Sequence, residues 1–393
     1  MTAETILIIS AALLAWTYLI YPAGVIMAAK LKRSVKPESK SRYQQTPLPS
    51  VTVVMSLYNE KKVTAEKIAG MLDSDYPSDL LDFVIGSDGS TDGTNALLGT
   101  IAATNNRIRC LIRAKRRGKA AMLNDLVSEA SGEILIVTDA NVMFTRDTVR
   151  RLAEVLGDPS TGLCDSTVRP APPGNAGNTG IIMQENLYSR FETALKRAEG
   201  DLWGSMPGPY GGCYAVRRGL FPKLPENTLV DDLFVGLTVL NMNFRSVNAP
   251  DAIVSEDTQP DMAAQFRRRV RIAAGSFQNL FRFGLCPGGR FSTCFAFFSH
   301  KIMRWLTPLF LLLFFMTTVI LSGRSEFYLW LTAFQLIFII LSALDIVLER
   351  RGKRIRVQRF VTQFLLMNAA LTAGFVKALI GIETGIWEPT KRV

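Results

Sequence analysis

The chain has almost no histidine. Its 393 residues contain one, His300, which lies next to an apolar segment long enough to enter a membrane, so histidine-based triads and zinc sites are effectively excluded. Cysteine is sparse as well. Cys110, Cys164, Cys213, Cys286 and Cys294 show no Cys-x-x-Cys spacing, which removes the common thiolate metal motifs and fits reduced thiols in a cytoplasmic domain. No internal repeat and no low-complexity stretch interrupts the sequence. Charge is missing altogether from residues 6–28, ILIISAALLAWTYLIYPAGVIMA, a run long enough to cross a bilayer.

Only Glu4 precedes that run, while Lys30, Lys32, Arg33, Lys36 and Lys40 follow it. The bias predicts an N-terminus outside and a cytoplasmic region next. A cleaved signal peptide would carry its basic residues on the other flank. Apolar segments return at Leu306 to Leu321 and Phe327 to Leu348, with a weaker third, Phe360 to Ile382, that contains Lys377. The connection ERRGKRIRVQR, residues 349–359, is strongly basic and is expected on the cytoplasmic side. A hairpin leaving the cytoplasm near 305 and returning near 348 follows. Two readings of the third segment stand. If it crosses, the tail from Trp387 lies outside, against the preference of Lys391 and Arg392; if it lies in the interface or re-enters, the tail is cytoplasmic. The net charge of +11 sits beside these segments and in one late helix, where lipid headgroups or phosphates account for it, so no nucleic-acid partner is expected.

Between the apolar regions the pattern alternates. Val51 to Ser56, Phe83 to Ser87, Ile108 to Ile112 and Ile134 to Thr138 read as strands; Lys61 to Leu72, Asp92 to Thr104 and Lys119 to Ser131 read as helices, the second capped by Ser90 or Thr91. Such alternation predicts right-handed crossovers and a parallel sheet with helices on both faces. Two of the apolar strands stop in an aspartate, Asp88 and Asp139. Carboxylates delivered to the C-terminal edge of an open α/β sheet, one beside glycines, point to a nucleotide and a metal ion in one crevice. Beyond Asp139 the regularity weakens: a Pro- and Gly-rich loop from Pro170 to Gly180, a helix from Ile182 to Glu199 and a glycine-rich loop from Gly204 to Gly212. In residues 263–285, Phe266, Val270, Phe277, Leu280 and Phe281 recur at helical spacing with arginines between them, the composition of a helix lying in the membrane interface.

The ordered set SLYNE, SDGSTDGT, RGKAAMLN, TDAN, YGGCYAVRR, VDD and QFRRRVR resembles the membrane-integrated family 2 glycosyltransferases, bacterial polysaccharide synthases among them. The resemblance covers roughly residues 50–300. It implies a GT-A, Rossmann-like α/β domain held in the cytoplasm between transmembrane helices, with interfacial amphipathic helices. The expected divisions are an anchor over 1–29, a linker over 30–49, the GT-A domain over 50–260, interfacial helices over 261–304, a C-terminal membrane region over 305–386 and a tail over 387–393. The implied activity is inverting transfer of a sugar from a nucleotide donor, a UDP-sugar, to a lipid-linked or glycan acceptor in exopolysaccharide or capsule synthesis at a bacterial inner membrane, with Mg²⁺ or Mn²⁺. A processive synthase that secretes its polymer, and a non-catalytic nucleotide-binding scaffold, are the alternatives. Membrane lipids and a homo-oligomer or polysaccharide-assembly complex are the further partners expected.

By this resemblance Asp88 holds the nucleobase; the bland alternative is a tight turn with Gly89. Asn59 and Glu60 line the same pocket, or Asn59 simply caps a helix. Lys119, at a helix start after Gly118, is placed for the diphosphate, where backbone amides already favour anions; a solvated basic loop is its alternative. Asp139 and Asn141 correspond to the metal motif Asp-x-Asp, with an uncharged amide in the second place. Asp232 takes the position of the base that deprotonates the acceptor hydroxyl, and Asp231 beside it is read as a helix N-cap and acceptor-site residue. Gln265, Arg268 and Arg269 fall on the Gln-x-x-Arg-Trp region and would clamp the diphosphate, Arg269 replacing the tryptophan. Tyr210, Gly211 and Gly212, with the Tyr188–Glu199 segment, would shape the acceptor site, and Trp203 is a candidate sugar platform.

Overall fold

The computed structural model describes residues 2–35, 47–170, 179–256, 262–350 and 356–386. Eight strands, β1 (Val51–Leu57), β2 (Leu81–Asp88), β3 (Ile108–Arg113), β4 (Ile134–Thr138), β5 (Val142–Phe144), β6 (Thr161–Pro170), β7 (Cys213–Arg217) and β8 (Arg245–Glu256), form one sheet in the order β3-β2-β1-β4-β7-β6-β8-β5. β3, β2, β1 and β4 run parallel, as the alternation predicts. The expectation of a parallel sheet fails beyond them: β7 is antiparallel to β4 and to β6, and β5 is antiparallel to β8. β6 and β8 pair parallel to each other, so β7 and β5 are the two strands that run against the rest.

Both faces of the sheet are covered. On one, Val53, Met55, Phe83, Ile85 and Ile136 pack with Ile68, Met71, Leu98 and Leu152 of the Lys61–Leu72, Thr94–Thr104 and Thr148–Val155 helices. On the other, Val54, Val84, Leu135 and Val137 meet Met122, Leu123, Val235 and Val239 of the Lys119–Glu129 and Asp231–Asn241 helices. Strands buried on both faces explain the near-continuous aliphatic runs. Pairing of Leu57 with Ser87 and of Met55 with Thr138 brings Asn59, Asp88 and Asp139 to one sheet edge.

Local caps differ from expectation. The Thr94–Thr104 helix starts at Gly93 in the left-handed region, φ 94°, rather than at Ser90 or Thr91. Asp92 instead accepts from the Thr94 amide and, through its other oxygen, from the Lys61 amide, each at 3.0 Å, so one carboxylate serves two helix starts. Val230, not Asp231, is the N-cap of the Asp231–Asn241 helix, and no side chain caps it.

The anchor is a helix over Ala3–Val35 that continues past residue 29, so the expected linker begins later. Lys32 reaches the Asp201 carbonyl at 2.5 Å and Arg33 pairs with the Asp201 carboxylate, which ties the anchor to the Thr179–Trp203 helix. The segment expected to span over Leu306 to Leu321 is instead a 15-residue helix, Thr307–Leu321, set at 56° to the Phe291–Trp305 helix before it. Glu326–Leu348 and Arg359–Ile380 are long and apolar enough to cross a membrane. The latter lies along the Met262–Phe283 helix, with Phe277 and Phe375 4.9 Å apart edge to face. Past its end, the Ile382 carbonyl accepts from Asn227 at 2.8 Å and Gly385 sits against the backbone of Glu226 and Thr228 in the sheet domain. Five reduced thiols were expected, yet Cys286 and Cys294 form a disulfide with Cα atoms 4.4 Å apart. The positive φ of Gly288 and Gly289 turns the chain back between them. The Pro170–Gly180 loop and Trp387 with its tail fall outside the described residues, apart from the ends at Pro170 and residues 179–180.

Candidate active site

The crevice is built at the C-terminal edge of β1, β2 and β4. Asn59 takes a left-handed conformation, φ 55°, just past β1. Its side-chain oxygen accepts from the Thr91 amide at 2.8 Å and its own amide donates to Ser90 at 3.1 Å, so it ties two loops together instead of capping a helix. Glu60 follows at the N-cap position of the Lys61–Leu72 helix and donates its amide to Thr94. Asp88 is 3 % exposed. Its two oxygens accept from the amides of Arg117 and Gly118 at 2.8 and 2.7 Å. Asp88 therefore holds the loop that presents Lys119. Gly89 lets that loop approach, since a Cβ there would lie 2.7 Å from the Arg116 nitrogen.

Lys119 is the hub. Its ammonium lies 2.9 Å from Asp139 and 3.3 Å from Asp231. Burial alone would lower its pKa, but Asp139, Asp231 and Asp232 outweigh burial and hold it above the ordinary lysine value. The converse holds at Asp139: burial pushes the carboxyl up, but Lys119, Arg268 and Arg271 together outweigh burial and hold it below the ordinary value. Asp231, 6 % exposed, faces Lys119 instead of capping its helix. Next to it, burial and then the Asp231 charge push Asp232 up to about 6. Gly211 is bare for a reason: a Cβ there would fall 2.6 Å from Asp232 Oδ2. Gly212 likewise leaves room for the Tyr210 ring, and its carbonyl accepts the Asp139 amide at 3.0 Å.

The Met262–Phe283 helix brings Arg268 to 3.5 Å from Glu256, while Arg271 donates to the Leu229 carbonyl at 2.9 Å. Gln265 is buried on the same helix and Arg269 half-buried. Trp203 is elsewhere. It packs edge to face on Phe295, 5.9 Å away, within the cluster of Tyr21, Val25 and Leu195 that seats the anchor helix, so it is no sugar platform. Tyr188 has no described side chain. The residue missed by sequence reasoning is Glu256, which accepts from Asn141 and Tyr210. A signal existed: Ala252 to Val254 is a short apolar run that soon ends in a carboxylate, as do the runs before Asp88 and Asp139.

Among the described residues, no three His, Cys, Asp or Glu side chains are grouped as a metal cluster. The donors present are nevertheless hard oxygens, and a lysine ammonium already stands against Asp139 as a cation would. One or two carboxylates sharing an ion with diphosphate oxygens is the common arrangement for Mg²⁺-type ions, and Asp139 with the Asn141 carbonyl oxygen fits it.

Fold and crevice together define a GT-A-like glycosyltransferase. Residues 52–224 match the model of Glycosyl transferase family 2. It is 24% identical over 351 residues to the probable glycosyltransferase YdaM of Bacillus subtilis, covering 83% of this chain and 80% of that one. Identity to the beta-monoglucosyldiacylglycerol synthase of Synechocystis is 26%, over 67% of this chain and 56% of the relative. Identity to an N-acetylglucosaminyltransferase of Rhizobium meliloti is 24%, over 60% and 57%. A solved mannosyltransferase from Pyrobaculum calidifontis, in complex with GDP-Man and Mn²⁺, superposes with a TM-score of 0.69 at 25% identity, over 95% of this chain and 99% of that chain.

Proposed function

We propose that this protein transfers one or a few sugars from a UDP-sugar to a lipid-linked acceptor at a bacterial inner membrane, with inversion and with Mg²⁺ or Mn²⁺. The observation that carries the proposal is the convergence of Lys119 on Asp139 and Asp231, beside an Asp232 held against Gly211. A lipid-linked acceptor is favoured because one helix, Met262–Phe283, contributes Arg268 and Arg271 near the crevice and packs its Phe277 on the apolar Arg359–Ile380 helix. The Synechocystis relative, named as a glycolipid synthase, agrees with that class. Short products are favoured because Arg269, not an aromatic ring, occupies the position where a sugar could stack.

In this mechanism Asp232 accepts the proton of the acceptor hydroxyl while that oxygen bonds to the anomeric carbon, from the face opposite the leaving group. The bond from carbon to the diphosphate oxygen breaks, and its electron pair leaves with the nucleoside diphosphate. Lys119 and Arg268 hold the departing anion, and Asp88 keeps the Lys119 loop in place. A divalent ion held by Asp139 and Asn141 would offset the same charge. The test is purified protein in detergent with a panel of UDP-sugars and mass analysis of products. Asp232→Asn is expected to lower kcat by about 10²–10⁴-fold with UDP affinity within a few-fold. Turnover near wild type would remove Asp232 from the chemistry, and UDP binding without transfer to any acceptor would favour the scaffold reading.

A further inference from the structure

The cation site has a deficit. Asp139 brings one negative charge and Asn141 brings none, so the pair carries half the charge of two aspartates. A carboxylate stands behind the amide. Glu256 ends β8, and the antiparallel pairing of β5 with β8 sets Glu256 opposite Val142, the neighbour of Asn141. Asn141 Nδ2 donates to Glu256 Oε1 at 3.0 Å. Tyr210 donates its hydroxyl to Oε2 at 2.5 Å, and Arg268 lies 3.5 Å from Oε1. An ionised carboxylate only accepts hydrogen bonds. The amide must therefore turn its NH₂ to Glu256 and its carbonyl oxygen, the only atom of that group able to bind a cation, away from it.

We propose that Glu256 is a positioning residue of the cation site: its carboxylate fixes Asn141 with the carbonyl oxygen free for the ion and supplies, from behind the amide, the charge that Asn141 lacks. The proposal rests on the metal-dependent reading above. Partners behind a ligand orient it and raise its basicity, and losing one typically weakens metal binding by about 10–100-fold. Asn141 itself lies in the three-residue connection, residues 139–141, between β4 and β5. The charge thus comes from a strand more than a hundred residues away in the chain.

The experiment titrates the full-length protein in detergent with Mn²⁺ at saturating UDP, read by electron paramagnetic resonance without turnover. Glu256→Gln keeps the size and an accepting oxygen and removes only the charge. It is expected to weaken Mn²⁺ binding at least about tenfold. The pair N141D/E256Q, which moves the charge forward by one residue, is expected to return within about threefold of wild type. UDP binding in chelator should change less than about threefold in every variant, which separates the cation effect from the pairing of Glu256 with Arg268. N141D alone tests the idea without touching Glu256. It places two carboxylates face to face, where one tends to keep a proton, so a gain in Mn²⁺ affinity below about threefold is expected. E256Q binding Mn²⁺ as tightly as wild type, N141D/E256Q as weak as E256Q, or a tenfold gain in N141D would each overturn the proposal. A wild-type protein that binds no Mn²⁺ beside UDP would overturn the metal reading and this one together.

Discussion

Asp232 and Asp231 open the same helical turn. Burial first, and the Asp231 charge second, lift Asp232 from the ordinary 3.8 to about 6. A base must be unprotonated to act, so kcat/KM should fall about tenfold per pH unit below the shifted value. A profile flat down to pH ~5 would assign the base elsewhere. The same shift makes the folded state hold a proton that the unfolded chain releases. This group therefore favours the fold at low pH and loses that contribution as pH rises through about 6. Gly211 gives an independent handle. An alanine Cβ would sit 2.6 Å from Asp232 Oδ2, and a displacement of that order costs about 10²-fold in rate. Gly211→Ala should lower kcat accordingly with the donor KM nearly unchanged; wild-type turnover would show that the carboxylate need not be where the structure holds it. Lys119, Asp139, Asp231 and Asp232 were legible as residues because each ends a strand or opens a helix. The pairing of Lys119 with Asp231 was not, since those residues lie more than a hundred apart in the chain. Trp203 misled because a tryptophan's partner, here Phe295, is set by tertiary contact that its own neighbours in sequence do not encode.

At the scale of elements, periodicity located the parallel half of the sheet almost to the residue. The Lys61–Leu72 helix and the Ile134–Thr138 strand have the bounds the pattern predicts. The other half was unreadable because β6 and β8, which pair parallel to each other, are long, polar at several positions and interrupted by register shifts at Thr161/Leu163 and Asp165/Thr167. Alternation at a period of two is lost where a bulge inserts a residue. The Arg359–Ile380 helix was ambiguous for another reason: hydropathy measures how apolar a segment is and not which surface it meets. Its meeting surface is the Met262–Phe283 helix. A Cβ on Gly374 would lie 2.4 Å from the Ala273 Cβ and 2.7 Å from the Ala274 nitrogen. Gly374→Val should therefore wedge the two helices apart, at a cost of about 1–3 kcal/mol, seen as a lower thermal midpoint in detergent together with reduced transfer. An unchanged midpoint would mean that the two helices are not closely packed in the native protein.

Across the whole molecule, the apolar helices connect one face of the catalytic domain to a level remote from it. Arg324, after the Thr307–Leu321 helix, lies 3.7 Å from Glu4 near the start of the anchor. Midway along the anchor Tyr18 donates to Thr307 at 3.2 Å, and at its far end Arg33 reaches Asp201. Glu4 and Arg324 thus mark the remote level, Asp201 the near one, and Thr307 a level between them. The Glu326–Leu348 helix, about 34 Å long at 1.5 Å per residue, returns from the remote level towards Asp345, which pairs with Arg359 at 4.0 Å. The Arg359–Ile380 helix then ends beside Asn227 of the catalytic domain. Because the C-terminal end of this helix meets Asn227, we predict that it lies in the interface and does not cross, so residue 383 should share the side of the sheet domain. In intact cells a membrane-impermeant maleimide should label Ser322→Cys, and should label Glu383→Cys only after permeabilisation, in a background lacking the native accessible thiols. Labelling of Glu383→Cys in intact cells would mean that the last helix crosses, and the contact between Gly385 and the backbone of Glu226 could not then form.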